Sequence, residues 1–339
     1  MGKLFVGIYF IISFVFIVLS RNRRVLIAFT AGMLLIVFKI SESMRIETIS
    51  EFVDFNAIFL LMGMMVIVAI VRSTGFFQYV AVKALRWSKG NVMLLSSLFA
   101  VLIALFSMFL DNVTTMIMFM PVIFLVADTA KFNPFAFTAV MIFASNIGGS
   151  MTLVGDPPNI IIGTASKMPF VTFTSLTVCP LAVSFVILIF LSRFSFLRNL
   201  SAITKGKNET VQMTTEGLIS NPKLMWVSLG VLSAVIMGFV VHNIVDIEMS
   251  LFAVLGACFL LFYTNKDFSK VALEIDWDVI LFFMGLFALS YSLESSGIAH
   301  DLSNIVLKLS GHPALLSTFV LWVSGGIAMI TGAIPVVTI

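Results

Sequence analysis

Charge is what this chain has least of. Asp, Glu, Lys and Arg make up 11% of its 339 residues, whereas a soluble globular domain carries about 25%. A water-surrounded globule is thereby excluded, because 60% of the residues are hydrophobic and the mean hydropathy is +1.12. Cysteine is scarce too. Cys179 and Cys258 both lie inside apolar runs, where buried small hydrophobes are expected, and no Cys or His pair has metal-ligand spacing. The net charge of +3 is too small to suggest nucleic acid, and no basic patch interleaves with aromatics in the way such binding needs. No nucleophile–base pair or cofactor motif is present, which argues against an enzyme. Lys3–Ser20 has the apolar look of a cleavable leader but lacks small residues at a cleavage site. Arg21, Arg23 and Arg24 follow at once, so it reads as a retained first span.

What the chain does have is a succession of long apolar segments, the pattern of an all-α polytopic membrane protein with the lipid bilayer as its solvent. Spans are expected at Leu4–Leu19, Val25–Ile40, Asn56–Val71, Thr172–Ser192, Leu224–Asn243, Ser250–Thr264 and Val279–Leu293, with a last apolar run at Pro313–Ile339. Val92–Ala127 is too long for one helix across roughly 30 Å of hydrocarbon. It reads as a helical hairpin, either re-entrant or crossing twice. Pro134–Ser166 reads as one crossing broken in the middle, its first half running to about Asn146 and its second starting near Asn159. Arg72–Gly90 mixes Lys83, Arg86 and Lys89 with aromatics and suits a helix lying in the interface. If the turn at 21–24 is cytoplasmic, 15 of the 20 Lys and Arg residues fall on that side. This bias predicts a plasma-membrane protein with a cytoplasmic linker at 193–223.

An internal repeat is legible. Asp54–Gly75 reads DFNAIFLLMGMMVIVAIVRSTG and Asp276–Gly297 reads DWDVILFFMGLFALSYSLESSG. At one constant offset Asp54, Ile58, Met62, Gly63, Ser73 and Gly75 fall on Asp276, Ile280, Met284, Gly285, Ser295 and Gly297. The expected topology puts Asp54 outside and Asp276 inside, so the repeats are inverted, as in many secondary transporters. In such folds the site lies near the midplane, framed by discontinuous helices.

Two carboxylates mark that place. Asp111, in FLDNVTTMIMFMPV, and Asp156, in ASNIGGSMTLVGDPPNIIIG, are the only charged residues of the hairpin and of the broken segment. A carboxylate in hydrocarbon is costly and points to function. Helix capping accounts for part of the pattern. Asp111 or Asn112 can cap the second arm of the hairpin, and Asp156 can stand at an N-cap with Pro157 at the first helical position. Yet a capped tip also sets Asp111, Asn112, Thr114 and Thr115 beside a positive helix end. Gly148 and Gly149 let the first half-helix end with free carbonyls. Together with Ser145, Asn146, Ser150, Thr152, Gly155, Asp156 and Asn159 they read as an ion cage. Na⁺ held by Asp111, Asn112, Asn146 and Asp156, a proton on Asp111, and an anion at the helix N–H groups all remain open. No cofactor is expected beyond such a coupling ion. His242, which ends a span near Asp246 and Glu248, reads as an interfacial residue.

Joined in this order, LDNVTT…PV and SNIGG…GDPPNIIIG resemble the ion-transporter superfamily, most of all its arsenite-permease and melanosomal P-protein-like branch. D-type sodium–proton antiporters and sodium/dicarboxylate symporters are its relatives. The resemblance implies that Asp111-Asn112 tips an inward-side re-entrant hairpin and that Ser145–Asn159 is the unwound middle of the adjacent helix. In the dicarboxylate relatives these two places bind one sodium ion and part of the substrate. Those relatives carry Ser-Asn-Thr where this chain has Asp-Asn-Val, and an acid there favours a cation or a proton. The family's second hairpin often carries Asp-Asn before Ile-Pro. Here Gly332 and Ala333 precede Ile334-Pro335, and the sequence ends at Ile339. By comparison with the first repeat, roughly 80 residues of the second are missing. The relatives also imply a homodimer.

The expected organisation is therefore N-terminal scaffold spans at 1–45 and a first repeat at 46–198, with hairpin 92–127 and broken helix 134–166. A cytoplasmic linker at 199–222, scaffold spans at 223–265 and an incomplete second repeat at 266–339 follow. The expected function is ion-coupled transport of an inorganic ion or small anion by alternating access. The alternatives are a truncated, non-transporting membrane protein or fragment of a longer permease, and a passive channel.

Overall fold

The computed structural model describes residues 3–20, 22–39, 44–89, 91–130, 133–196, 217–264, 268–301 and 304. The stretch carrying Gly332, Ala333 and the rest of the second hairpin lies outside the described residues, as does most of the linker. Every described element is a helix. Four of them, at Phe55–Ser73, Phe170–Phe194, Pro222–Val245 and Trp277–Ser295, are long and apolar enough to cross a membrane, and shorter apolar helices accompany them. Helices satisfy their own backbone groups, which lipid cannot do for them.

The chain divides into two compact units. The first takes its described helices from both ends of the sequence: α1 (Lys3–Leu19), α2 (Arg24–Val37), α3 (Ile49–Phe52) and, numbered last in the chain, α14 (Trp277–Ser295). α3 follows a single 3₁₀ turn at Ile46–Thr48. The core of this unit is the crossing of α2 and α14. A Cβ on Gly32 would lie 3.0 Å from the Gly285 Cα, and one on Gly285 would lie 2.6 Å from the Phe29 backbone nitrogen. Two glycines thus bring two backbones into contact, the way small residues pack membrane helices. The Tyr9 hydroxyl donates to the Ala31 carbonyl at 2.8 Å and fastens α1.

The second unit, residues 56–275, carries α4 (Phe55–Ser73), α5 (Phe76–Trp87), α6 (Val92–Ser107), α7 (Asn112–Ala130), α8 (Phe135–Gly149) and α9 (Pro157–Ala165). Beyond them lie α10 (Phe170–Leu191), α11 (Pro222–Val245), α12 (Met249–Thr264) and α13 (Phe268–Ala272). A chain of aromatic contacts, edge-to-face at all but the tilted Phe106–Phe119 pair, forms its core. Phe77 meets Phe106 at 5.0 Å, Phe106 meets Phe119 at 6.0 Å, Phe119 meets Phe99 at 5.6 Å and Phe99 meets Phe137 at 6.0 Å. Such pairs add about 0.5–1.5 kcal/mol each beyond the area they bury, and this run links α5, α6, α7 and α8. α5 presents Phe77, Ala81, Val82, Ala84 and Leu85 inward, while Lys83 stays exposed with its Nζ 5.5 Å from the Trp87 ring.

The repeat seen in sequence has a local structural counterpart. α4 and α14 are both 19 residues long and start and stop at equivalent positions. Each is followed by a left-handed glycine, Gly75 at φ 82° and Gly297 at φ 76°. Left-handed backbone costs a side-chain-bearing residue energy that glycine avoids. The two cysteines depart from expectation. Both are exposed rather than buried, because in a membrane protein the outer face of a helix can be as apolar as its core.

Candidate functional site

The hairpin and the broken helix meet at one polar cluster inside the second unit. α6 ends at Ser107, a turn follows, and α7 begins at Asn112. The turn is closed by Asp111, whose Oδ1 accepts from the Thr114 backbone N–H at 2.8 Å. Capping is therefore what this carboxylate does locally. α8 runs through Gly149, further than the expected end near Asn146, and the unwound stretch is 150–156. Gly148 does not break the helix. It lets α8 approach α6 so closely that a Cβ there would lie 2.6 Å from the Ala104 Cα. α9 starts at Pro157, ahead of the expected Asn159, because a proline at the first helical position loses no hydrogen bond.

Asp156 stands at the N-cap of α9 on extended backbone, φ −145° and ψ 132°, but its side chain makes no capping bond. It is turned instead toward the hairpin, where Asn112 Nδ2 donates to its Oδ2 at 3.3 Å. Asp111 precedes Asn112 directly and caps the same hairpin tip. Between Asn91 and Ser166 the sequence holds a single basic residue, Lys131. Helix N-termini within this segment add partial positive charge.

Asn112 is the centre of the cluster. Its Oδ1 accepts from Ser107 Oγ at 2.5 Å and from Ser145 Oγ at 3.3 Å. The two hydroxyls are 3.0 Å apart, and both serines are fully buried. Gly149 faces the same amide: a Cβ there would lie 3.2 Å from Asn112 Cγ. Gly155 in turn sits so close to the Ser107 carbonyl that a Cβ would come within 2.6 Å of it.

Several carbonyls at the end of α8 and in the unwound stretch are engaged by neighbours. Asn159 Nδ2 donates to the Gly149 carbonyl at 3.1 Å and to the Thr152 carbonyl at 2.9 Å. The Met151 carbonyl accepts from Thr177 Oγ1 at 2.7 Å, and that of Gly148 from the Met151 N–H at 3.0 Å. The Thr152 hydroxyl donates to the Met108 carbonyl and accepts from the Gly155 N–H at 3.1 Å. The reason is general: irregular backbone at membrane depth survives only when neighbours satisfy it.

Of the residues singled out from sequence, Asp111, Asn112, Ser145, Gly149, Thr152, Gly155, Asp156 and Asn159 are joined by these contacts, and Pro157 and Gly148 support them. Thr114 takes part through its backbone. Thr115 is fully buried, and its hydroxyl has no partner among the described residues. Asn146 is exposed, and Ser150 turns its hydroxyl back to the Asn146 carbonyl at 2.8 Å. The tetrad Asp111, Asn112, Asn146 and Asp156 is therefore drawn together at three members, with no recorded contact for the fourth side chain. Sequence reasoning missed Ser107 and Thr177. Ser107 had a usable signal, a serine in the last turn before a polar hairpin tip. Thr177 had none beyond its position one turn before Pro180 in α10. His242, at the end of α11, accepts from the Phe170 N–H at 3.3 Å and holds the start of α10.

A family model described as citrate transporter matches residues 14–339. An uncharacterized transporter of Mycobacterium tuberculosis is 34% identical over 97% of this chain and 77% of its own length. A 46 kDa membrane protein of Mycobacterium leprae is 32% identical over the same shares. The human P protein is 36% identical over 46% of this chain and 18% of its own length. The match over nearly the whole chain is decisive: the protein belongs to the citrate transporter (CitMHS) family within the ion-transporter superfamily, and is a membrane transporter rather than an enzyme.

Proposed function

We propose that the protein is an ion-coupled permease working by alternating access, with the Asn112-centred cluster as its ion and substrate site. The observation that carries this reading is geometric: Asn112, next to Asp111 at the hairpin tip, donates to Asp156 at the helix break at 3.3 Å, in a segment with a single basic residue. Two carboxylates brought to one site favour whatever neutralises them, a Na⁺ ion or protons. Asp111, Asn112 and Asp156 supply the oxygens, while the Gly149, Thr152 and Met151 carbonyls are engaged by Asn159 and Thr177. The hard carboxylate and amide oxygens suit Na⁺.

An anion such as citrate, the cargo named for the family, would meet two carboxylates at this site. Its uptake therefore needs the carboxylates neutralised first, which couples anion movement to the cation. The charge bias of the loops supports a plasma-membrane orientation with the linker at 193–223 inside. The repeat in sequence, inverted in the expected topology, supports motion of one repeat against the other, and homodimerisation through scaffold spans fits the same architecture.

The test is flux in proteoliposomes containing the full chain, with Na⁺ and pH gradients imposed separately. Accumulation of Na⁺, H⁺ or a labelled small anion against its own gradient is the expected result. Currents that follow only the gradient of the permeant ion would make the protein a channel and defeat the proposal.

A further inference from the structure

We infer that Ser107 is a positioning residue that sets the orientation of the Asn112 amide, and through it the donor presented to Asp156. The inference rests on the cluster being the transport site. Its basis is where the hydroxyl goes. Many serines in these helices turn their hydroxyls back onto their own backbone: Ser97 to the Met93 carbonyl at 3.1 Å, Ser184 to Pro180 at 3.1 Å, Ser228 to Met225 at 3.1 Å and Ser292 to Leu289 at 2.7 Å. Ser107 does not, and neither does Ser145, its neighbour in the cluster. The Ser107 hydroxyl leaves α6 and donates to Asn112 Oδ1 at 2.5 Å, at a fully buried position.

The consequence follows from the amide's two ends. A primary amide carries an acceptor oxygen on one side and a donor nitrogen on the other. With Oδ1 tied to Ser107 and Ser145, Nδ2 is left facing Asp156 Oδ2 at 3.3 Å. Turned over, the amide would set its oxygen against the Asp156 carboxylate, acceptor against acceptor. Ser107 contributes the shortest contact on the oxygen side, because the Ser145 hydroxyl lies at 3.3 Å and is shared with the Asn112 carbonyl at 3.3 Å. Ser145 alone therefore holds the amide loosely. Ser107 acts on Asp156 through Asn112.

Removing the Ser107 hydroxyl frees one buried acceptor and one rotation, without disturbing the packing of a side chain this small. The expected effect is a change of about tenfold in the coupling-ion concentration, Na⁺ or H⁺, that gives half-maximal flux. The maximal rate changes less. The experiment compares the full-length wild type with Ser107→Ala, Ser97→Ala and Asp156→Asn in proteoliposomes at equal incorporation. Ser97 is on the same helix, with its hydroxyl bonded inside it. Ser107→Ala is expected to shift the half-saturation, Ser97→Ala to match wild type, and Asp156→Asn to lose coupled flux. A Ser107→Ala protein with wild-type half-saturation, beside an inactive Asp156→Asn, overturns the inference and leaves the site standing. Loss of maximal rate in Ser107→Ala at unchanged half-saturation also overturns it, since that is mere structural damage. Unchanged coupled flux in Asp156→Asn overturns the reading of the site itself.

Discussion

Gly148→Ala is the substitution whose effect the structure dictates most tightly. The added methyl would lie 2.6 Å from the Ala104 Cα and 2.7 Å from its carbonyl carbon. Carbon atoms rest at about 3.5–4.0 Å, so α8 must retreat from α6 by ~1 Å. The obstacle is backbone, which cannot rotate aside as a side chain would. Overpacking of this kind costs typically 1–3 kcal/mol, and an immovable neighbour puts this case near the top, at about 2–3 kcal/mol. The same retreat would pull Ser145 away from Ser107, now 3.0 Å apart, so the polar cluster loosens with the packing. Gly230→Ala is the internal control. It lies in α11 with nothing within 4 Å of a Cβ, and alanine there should be neutral or stabilising by up to ~1 kcal/mol. Thermal unfolding of the purified full chain in detergent should show Gly148→Ala melting several degrees below wild type and Gly230→Ala at or above it. A Gly148→Ala protein that melts with wild type would refute the close approach of α6 and α8.

Asn159→Leu should release the Gly149 and Thr152 carbonyls, at a cost of about 2 kcal/mol. Faster amide exchange in 150–156, with α11 unaffected, is the signature. Gly75→Ala should destabilise the second unit, because the position is left-handed and faces the Leu218 carbonyl; a protease-sensitivity assay comparing it with Gly230→Ala reads this out. Arg72 and Glu274 form an ion pair with side chains 36% and 45% exposed, and Arg72→Gln should move stability by less than about 1 kcal/mol, measured as a melting shift. The Lys3 ammonium holds the carboxyl of Asp301 below its usual range. The stabilisation from this pair is thus present above the ordinary carboxylate pKa and is lost as pH falls through the lowered value. Lys3→Met should raise the Asp301 titration midpoint in an isotope-edited spectrum.

The helical, membrane-spanning character was written in composition, since apolar runs of spanning length have few other uses. The α4 and α14 repeat was legible because its glycines and acids recur at one offset. The position of the break was harder. Gly148-Gly149 looks like an interruption in one dimension, whereas in three dimensions Gly148 is the price of close packing against Ala104. The state of the carbonyls was invisible for a similar reason. Asn159 had been noticed as a liganding residue, yet both of its recorded amide bonds go to the unwound backbone. Thr177 reaches that backbone from a helix 20 residues further on, counted from Pro157, and no local pattern announces such a contact. The exposed cysteines show the reverse effect, since hydropathy alone cannot separate a lipid-facing side from a core.

The central claim, that the paired carboxylates at the hairpin tip and the helix break are where the coupled ion is handled, has a direct test. Coupled flux is measured in proteoliposomes carrying equal amounts of wild type, Asp111→Asn, Asp156→Asn and the double variant. The account predicts gradient-driven accumulation in the wild type and its loss in all three variants, each melting within a few degrees of wild type. Accumulation that persists undiminished in the double variant would contradict it.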